Sequence, residues 1–315
     1  MNKKLIEVVP YNTNWPQIFE TEAEALRTAL ADNCIAVHHI GSTSVSGLSA
    51  KPIIDIIAEV KNGQNSISSL EKVDFTYKGE WNIPFKFGFS KRDGCHVNLH
   101  VYEENHPEIQ LNLVFRDYLR NHPEALNEYQ NLKTELLQNE ESFQKQNGSI
   151  FTGYNLGKDA FIRKVLEQSG FKRLRFLRCT HNLEWQEYHR IRKEQIFDHT
   201  NIQYDENHPT INDPNHFHFI LCKGTKIVSI AQVEFLNDFD AALRALATDS
   251  IYQNQSFGTQ MLQLLEKWLK LQGKKVLKMH ADLKAENFYR KYGYVKMVFA
   301  DKNTFQDTID LGKIL

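Results

Sequence analysis

The run Tyr252-Gln253-Asn254-Gln255-Ser256-Phe257-Gly258 lies between an apolar strand pattern and a long amphipathic helical pattern. A loop in that position leaves backbone N–H groups free at the positive end of a helix dipole, which is the chemistry that cradles a pyrophosphate. Its position carries that signal more than its glycine does. Downstream, Ala285-Glu286-Asn287-Phe288-Tyr289-Arg290-Lys291-Tyr292-Gly293-Tyr294 packs three tyrosines around a short helix that a glycine stops. A second group of reactive residues lies in the first half. Asp55 interrupts a nearly wholly apolar strand pattern at 53–60, and a carboxylate there is costly to bury unless something pairs with it. The turn Gly41-Ser42-Thr43-Ser44 precedes it. His96, Asn98 and His100 alternate onto one face of a later strand pattern, with Val97, Leu99 and Val101 on the other. A polar face with two imidazoles, opposite a strand carrying Asp55, would line a cleft.

The elements that must position these residues follow from periodicity. In the first half, a helix over 17–31 presents Phe19, Ala23, Leu26 and Leu30. Strands are expected at 34–40, 53–60 and 96–101, and 110–114 repeats the alternation. Helices are expected at 126–137 and 158–167. In the second half a strand at 174–178 precedes a helix bearing Leu183, Trp185, Tyr188 and Ile191, capped by Thr180 or Asn182. Strands at 216–222 and 226–235 flank Lys223-Gly224-Thr225, a three-residue hairpin loop centred on glycine. The run 201–215 reads as a surface loop. A strand at 241–247 leads into the candidate loop and then a helix over 258–272, buried through Met261, Leu262, Leu264, Leu265, Trp268 and Leu269 and closed by Gly273. A strand at 275–281, the short helix at 285–291 and strands near 294–299 and 308–311 complete the chain. Glu234 and His280 sit on strands of this half, and strand ends facing a cleft are where ligands collect in open α/β sheets.

A chain of 315 residues exceeds one ordinary core and predicts two domains. Gln168-Ser169-Gly170-Phe171-Lys172-Arg173 marks the change of character, giving domains 1–170 and 171–315. The fold class expected for both is α/β (α+β), each built on a mixed sheet. With 41% apolar and 24% charged residues, disorder, collagen-like repeats and coiled coil are excluded. A net charge of −1 removes the general electrostatic case for nucleic acid or an anionic membrane as partner. Residues 1–10 hold two lysines but no apolar core of signal-peptide length, and no eighteen-residue apolar run occurs; a cytoplasmic location is expected. Cys34, Cys95, Cys179 and Cys222 lack C-x-x-C spacing, which fits a reducing compartment and argues against structural zinc.

Read together, the residues from 174 to 315 resemble the GNAT family of acetyl-CoA-dependent N-acetyltransferases. The family's pyrophosphate loop, Arg or Gln, two residues, Gly, one residue, Gly or Ala, is matched by Gln253-Asn254-Gln255-Ser256-Phe257-Gly258, with Ser256 in place of the first glycine. The tail A-x-x-F-Y-x-K-x-G-Y is matched by Ala285, Phe288, Tyr289, Lys291, Gly293 and Tyr294. The resemblance implies acetyl-CoA as co-substrate, held by Gln253 to Gly258 and by Asn287, with its pantetheine arm paired to the backbone of Leu246, Ala247 and Thr248. It implies Tyr289 as the general acid that protonates the departing CoA thiolate. Glu234 and His280 are the candidates for the base that takes the ammonium proton. The acceptor would be a small-molecule or peptide amine.

The run His39-Ile40-Gly41-Ser42-Thr43-Ser44-Val45-Ser46-Gly47-Leu48 resembles the GrpB family, also called UPF0157. So do Ala50-Lys51-Pro52-Ile53-Ile54-Asp55-Ile56, Pro10-Tyr11, Asn98-Leu99-His100-Val101 and Phe115-Arg116-Asp117-Tyr118-Leu119-Arg120. The match runs over about residues 5–169, and the family resembles a divergent nucleotidyltransferase fold. There a Gly-Ser turn holds phosphate and the next strand carries alternate carboxylates for a divalent metal. Ile57 stands where the second carboxylate belongs, and a single aspartate is poor support for two-metal chemistry. Three readings stay open for this half: a nucleotide or phosphate module using Gly41, Ser42, Ser44, Lys51 and Asp55, a metal-dependent enzyme using Asp55 with His96 or His100, and a structural or substrate-selecting part. For the whole chain, an N-acetyltransferase stands beside a non-catalytic CoA sensor or scaffold and a bifunctional modifying enzyme. Kinase activity has no support, because no G-x-x-x-x-G-K-[ST] loop is present.

Overall fold

A computed structural model describes residues 7–145, 149–301 and 305–315. Lys3 and Lys4, among the residues weighed above as a possible leader, lie outside the described residues. The chain divides into two compact units, Met1–Arg175 and Phe176–Leu315.

In the first unit α1 (Trp15–Leu30) has proline in its opening turn, where the fixed φ and missing N–H cost nothing. Its Trp15, Phe19, Ala23, Leu26 and Leu30 recur every three or four residues as one buried stripe. Strands β1 (Cys34–Ile40), β2 (Ile54–Val60), β3 (Thr76–Gly79), β4 (Phe87–Lys91) and β5 (Val97–Glu103) form a sheet in the order β1-β2-β5-β4-β3, with α2 (Ser66–Glu71) between β2 and β3. β2 and β5 run parallel and the other pairs antiparallel. Ile54, Ile56, Ala58 and Val60 pack with α1, Val97, Leu99 and Val101. Alternation then sends Asp55, Ile57, Asn98, His100 and Tyr102 to the opposite face, where Ile57 and Tyr102 share a cluster with Ile40 and Ile109.

The segment 110–114, expected to be extended, is helical. It lies inside α3 (Pro107–Asn121), where His106 Nδ1 accepts the Glu108 N–H at 3.3 Å and Pro107 opens the first turn. Those start signals outweigh five residues of alternation. Leu111 and Val114, one turn apart, join Leu166 and Phe171 in one cluster. Helices α4 (Pro123–Gln138), α5 (Gly153–Leu156) and α6 (Asp159–Gln168) follow. Leu119, Ala125, Tyr129, Phe161 and Val165 clamp Val45 and Leu48, so the segment after the Gly-Ser turn is anchored in a helical core.

The second unit is built on a seven-stranded sheet: β6 (Leu174–Arg178), β7 (His216–Lys223), β8 (Lys226–Phe235), β9 (Asp240–Thr248), β10 (Val276–Asp282), β11 (Val295–Lys296) and β12 (Thr308–Ile314), in the order β11-β12-β10-β9-β8-β7-β6. Three helices accompany it: α7 (Asn182–Arg192), α8 (Phe257–Leu271) and α9 (Glu286–Lys291). Trp268 of α8 packs against Phe217, Phe219 and Phe235 on one face, while Tyr188 of α7 meets His218 on the other. The expected cap differs: His181 precedes α7, and Thr180 instead gives its N–H and hydroxyl to Glu184 Oε2, at 2.8 and 3.2 Å. The hairpin loop is shorter than expected, because Lys223 pairs with Lys226 and leaves only Gly224-Thr225 to turn. The strand expected over 294–299 is reduced to Val295–Lys296. No helix among the described residues is long and apolar enough to cross a membrane.

Candidate functional site

β9 and β10 run parallel but pair at only three positions, Asp240 with Val276, Ala241 with Leu277 and Ala242 with Lys278. Beyond these the strands part, so the stretches from Leu243 to Thr248 and from Met279 to Asp282 are no longer paired to each other. A bulge contributes: Gln232 pairs with Ala245 and Val233 with Leu243, leaving Arg244 as the extra residue, and a bulge bends its strand and increases its twist. The opening is a wedge in the sheet with unpaired backbone on its β9 side, where Leu246, Ala247 and Thr248 lie.

The predicted loop stands at the C-terminal end of β9. Gln253, Asn254, Gln255 and Ser256 are exposed, Phe257 is buried as the first residue of α8, and Gly258 is half-buried. Asn254 and Ser256 hold φ of +60° and +66°, the left-handed region that a side chain disfavours. Ser256 therefore holds a conformation that glycine takes more easily, at a cost of about 1 kcal/mol. The Gln253 amide donates to Gln195 Oε1 at 2.9 Å and to Thr248 O at 3.3 Å, and Asp249 is bonded to Arg190, so the start of the loop is tied to α7 and the turn that follows it. A Cβ built on Gly258 would lie 3.4 Å from Thr248 Oγ1 and 4.0 Å from the Phe288 ring. The loop, the end of β9 and α9, separate in sequence, thus meet at one point.

Tyr289 is buried in α9, and burial with the Asp282 carboxylate at the end of β10 pushes its phenol well above its usual range. Asn287 is exposed on the same helix. Glu234 is held by Arg244, with both guanidinium contacts at 2.6 Å, and Arg244 also reaches Asp301. His280 lies past Lys278, the last residue of β10 that pairs with β9. Its Nδ1 is 2.8 Å from Asp310 Oδ1 on β12, its ring stacks on Phe299 at 4.6 Å, and its Nε2 is buried with no hydrogen-bond partner among the described residues. Asp310 went unremarked in the sequence. Its signal is cross-strand pairing with His280, which periodicity alone does not supply.

In the first unit Gly41, Ser42, Ser44, Lys51 and Asp55 come together. β1 ends with Ile40 opposite Asp55, and Asp55 stands beside Asn98, whose amide donates to it at 2.8 Å. Gly41 is obligatory twice over, since its φ is +69° and a Cβ there would lie 2.6 Å from Asp55 Oδ2. Ser44 is buried and gives its hydroxyl to Gly41 O at 2.6 Å, so it shapes the turn. Arg116 donates to His39 O and Arg120 twice to Ser44 O, fixing both sides of the turn from α3. His100 lies near Lys86, and burial first, then that ammonium, lowers it to about 3. His96 is not gathered in: it stands exposed, one residue outside β5. No group of three or more metal-ligating side chains occurs among the described residues, and Ile57, two residues after Asp55 on the same strand face, is buried.

Sequence reading missed Lys86, Tyr129, Lys133, Tyr154 and Lys158 here. Lys133 Nζ lies 3.5 Å from Ser42 Oγ and donates to Ser49 O. Lys51 and Lys158 lie 4.8 and 4.5 Å from the centre of the Tyr154 ring. Burial raises the Asp55 carboxyl, while the Asn98 hydrogen bond and then Lys158, Lys51 and Lys86 pull it back. Each missed lysine sits on a segment whose local pattern is that of an ordinary solvated charge.

The family model described as GrpB protein matches residues 5–168, and that described as Acetyltransferase (GNAT) family matches residues 164–294. The chain is 36% identical over 175 residues to the UPF0157 protein YqkA of Bacillus subtilis (strain 168), a match covering 53% of this chain and 48%, about half, of that protein. It is similar to the crystal structure of GrpB from Enterococcus faecalis, with 34% identity, 52% of this chain and 96% of that chain covered, and a TM-score of 0.46. It is also similar to a putative N-acetyltransferase from Lactobacillus plantarum, with 16% identity, 45% and 98% covered, and a TM-score of 0.40. By the extent of the first match, more than half of its residues, the chain belongs to the GrpB protein family, and its later residues match the GNAT acetyltransferase model.

Proposed function

We propose that the second unit transfers an acetyl group from acetyl-CoA to a primary amine by direct attack. The observation that carries this reading is the parting of β9 and β10 beyond Ala242 and Lys278, with the candidate pyrophosphate loop at the C-terminal end of β9. An extended pantetheine arm fits such a wedge, bonding to the open β9 backbone at Leu246, Ala247 and Thr248 as an added strand would. The N–H groups from Asn254 to Gly258 and the dipole of α8 then face the pyrophosphate.

In the proposed reaction the amine nitrogen bonds to the thioester carbonyl carbon, the C–S bond breaks, and the CoA sulfur leaves with the electron pair. Tyr289 gives its hydroxyl proton to that sulfur. Its raised phenol stays protonated at neutral pH, as a general acid must. Of the two candidates for the base, His280 is favoured over Glu234. Asp310 can only accept while ionised, so it holds the proton on His280 Nδ1 and leaves Nε2 with a free lone pair. Glu234, by contrast, is committed to Arg244.

Calorimetry with acetyl-CoA, followed by thiol release against a panel of amines, tests the reading. Binding with thiol release for at least one amine is expected. Binding without release from any amine would make the unit a CoA sensor, and absence of binding would remove acetyl-CoA altogether.

A further inference from the structure

The first unit gathers three ammonium groups around one carboxylate, with a fourth, Lys133, beside Ser42 of the neighbouring turn. The charges of Lys51, Lys86 and Lys158 all act on Asp55, Lys51 acts on Lys158, and Lys158 on Lys133. Lys86 and Lys133 are buried, at 8% and 3% exposure. Among the described residues, Lys86, Lys133 and Lys158 form no ion pair with a carboxylate. Tyrosine rings supply part of the compensation: Tyr154 lies against Lys51 and Lys158, and Tyr129 against Lys133 at 5.0 Å. Ser42 Oγ lies 3.5 Å from Lys133 Nζ.

Like charges taken out of water together repel and lose hydration; Asp55 acts on three of the four and Glu108 on Lys86 as well, while Lys133 has the Lys158 ammonium as its charged neighbour. A sequence that places them so departs from what stability alone would select, which is the mark of a site built for something else. The backbone agrees. Trp81 and Phe85, flanking the loop that presents Lys86, hold φ of +60° and +67°, a conformation that is a true outlier for an aromatic residue and persists only where surroundings enforce it.

Two ligand classes could answer this arrangement, a cation or an anion. A divalent cation needs several hard oxygen ligands, whereas the site has Asp55 alone, already bonded by Asn98, with Ile57 two residues on along the same face and three ammonium charges around it. An anion with several negative charges answers every feature. The glycine-serine turn offers backbone and hydroxyl donors, and the lysines provide the charge that Mg²⁺ would otherwise bring to a phosphate chain. We propose that the first unit binds a phosphorylated small molecule without a divalent metal, its phosphate groups seated between Ser42 and the ammonium groups of Lys51, Lys133 and Lys158. This reading is independent of acetyl transfer in the second unit.

Calorimetry on the full chain with pyrophosphate and with ATP, each in EDTA and in excess Mg²⁺, tests it. At least one of the two is expected to bind in EDTA, without strengthening in Mg²⁺. Tighter ATP would mark a nucleotide, and tighter pyrophosphate a ligand read by its phosphates alone. Lys133→Met and Lys158→Met should each weaken binding by about 10- to 100-fold while raising the thermal midpoint of the ligand-free protein, since each removes a repelled charge. Lys51→Met, at a partly exposed position, keeps the test open if the variant at Lys133 does not fold. Lys164→Met, outside the site and paired with Glu128, should change nothing; it separates this site from diffuse surface attraction. The lysine variants also separate the site from the loop of the second unit, whose acetyl-CoA binding they should leave intact. Absence of binding by both anions, a requirement for Mg²⁺, or binding indifferent to all three lysines would overturn the proposal.

Discussion

His280 Nδ1 stands 2.8 Å from Asp310 Oδ1 across the β10–β12 pair, while the other nitrogen of the ring is enclosed and has no hydrogen-bond partner among the described residues. The carboxylate therefore sets the tautomer. An Asp310→Asn substitution offers Nδ1 an amide N–H donor in its place, so the proton moves to Nε2 and the lone pair needed to accept from an ammonium is gone. Turnover should fall by about 10²- to 10⁴-fold with acetyl-CoA affinity unchanged. Asp310 is near the surface and its carboxyl is lowered chiefly by the Phe299 N–H bond, so the fold should survive. Unaltered kcat in this variant would take His280 out of the mechanism.

Tyr289→Phe removes one oxygen from a buried helix position flanked by Phe288 and Tyr294 and leaves the ring packing in place. The expected outcome is intact acetyl-CoA binding with turnover lowered by about 10²- to 10⁴-fold. Because burial and Asp282 raise the phenol, the wild-type rate should show no alkaline loss attributable to this group below its ordinary value of about 10. Equal turnover by the phenylalanine variant would show the tyrosine to be packing only.

Gly41→Ala tests the turn of the first unit. The added methyl meets Asp55 Oδ2 at 2.6 Å and imposes a left-handed φ of +69° on a residue with a side chain. A loss of roughly 2–4 kcal/mol in urea unfolding is expected. Combining it with Asp55→Gly should recover the clash but not the backbone strain, so partial rescue is the diagnostic result. Full rescue would mean that φ is immaterial here.

How far the sequence carried this picture depends on the range of the interaction concerned. Strands and helices with long regular patterns, such as 226–235 and the stripe of α1, were legible because their burial is periodic. The stretch 110–114 was misread because five residues of alternation cannot outweigh a proline and a capping histidine just upstream. The Gly41, Ser42 and Asp55 grouping was legible because glycine and a lone carboxylate are unusual where they stand. Lys133 was not, since a lysine on an amphipathic helix looks the same whether it faces water or Ser42. Asp310 stayed hidden for a related reason: its meaning lies in a cross-strand partner thirty residues away.

Ser256 occupies a position with φ +66° just before α8 and makes no side-chain capping bond there. Ser256→Gly should release about 1 kcal/mol of strain, raising the stability of the ligand-free fold while leaving acetyl-CoA affinity within about twofold, since the turn is already formed without ligand. Calorimetry on the pair of proteins reads this directly. A loss of affinity would instead assign the serine hydroxyl a contact to the pyrophosphate.

The lysines of the first unit predict a pH dependence of unusual sign. Burial, aided for Lys158 and Lys133 by neighbouring ammonium groups, lowers Lys133 to about 7 and Lys86 and Lys158 to about 8, against about 10.4 in the unfolded chain. Between those values the unfolded state binds more protons than the folded one, so stability must rise with pH across that window. The ligand-free protein should therefore become harder to unfold between about pH 7 and pH 10. Phosphate binding should weaken over the same range, as the ammonium groups that hold the anion lose their charge. Lys133→Met should flatten the lower part of both curves. If stability of the ligand-free protein instead declines steadily from pH 7 and the variant declines in parallel, the lysines are fully charged and hydrated, and the cluster is an ordinary solvated surface.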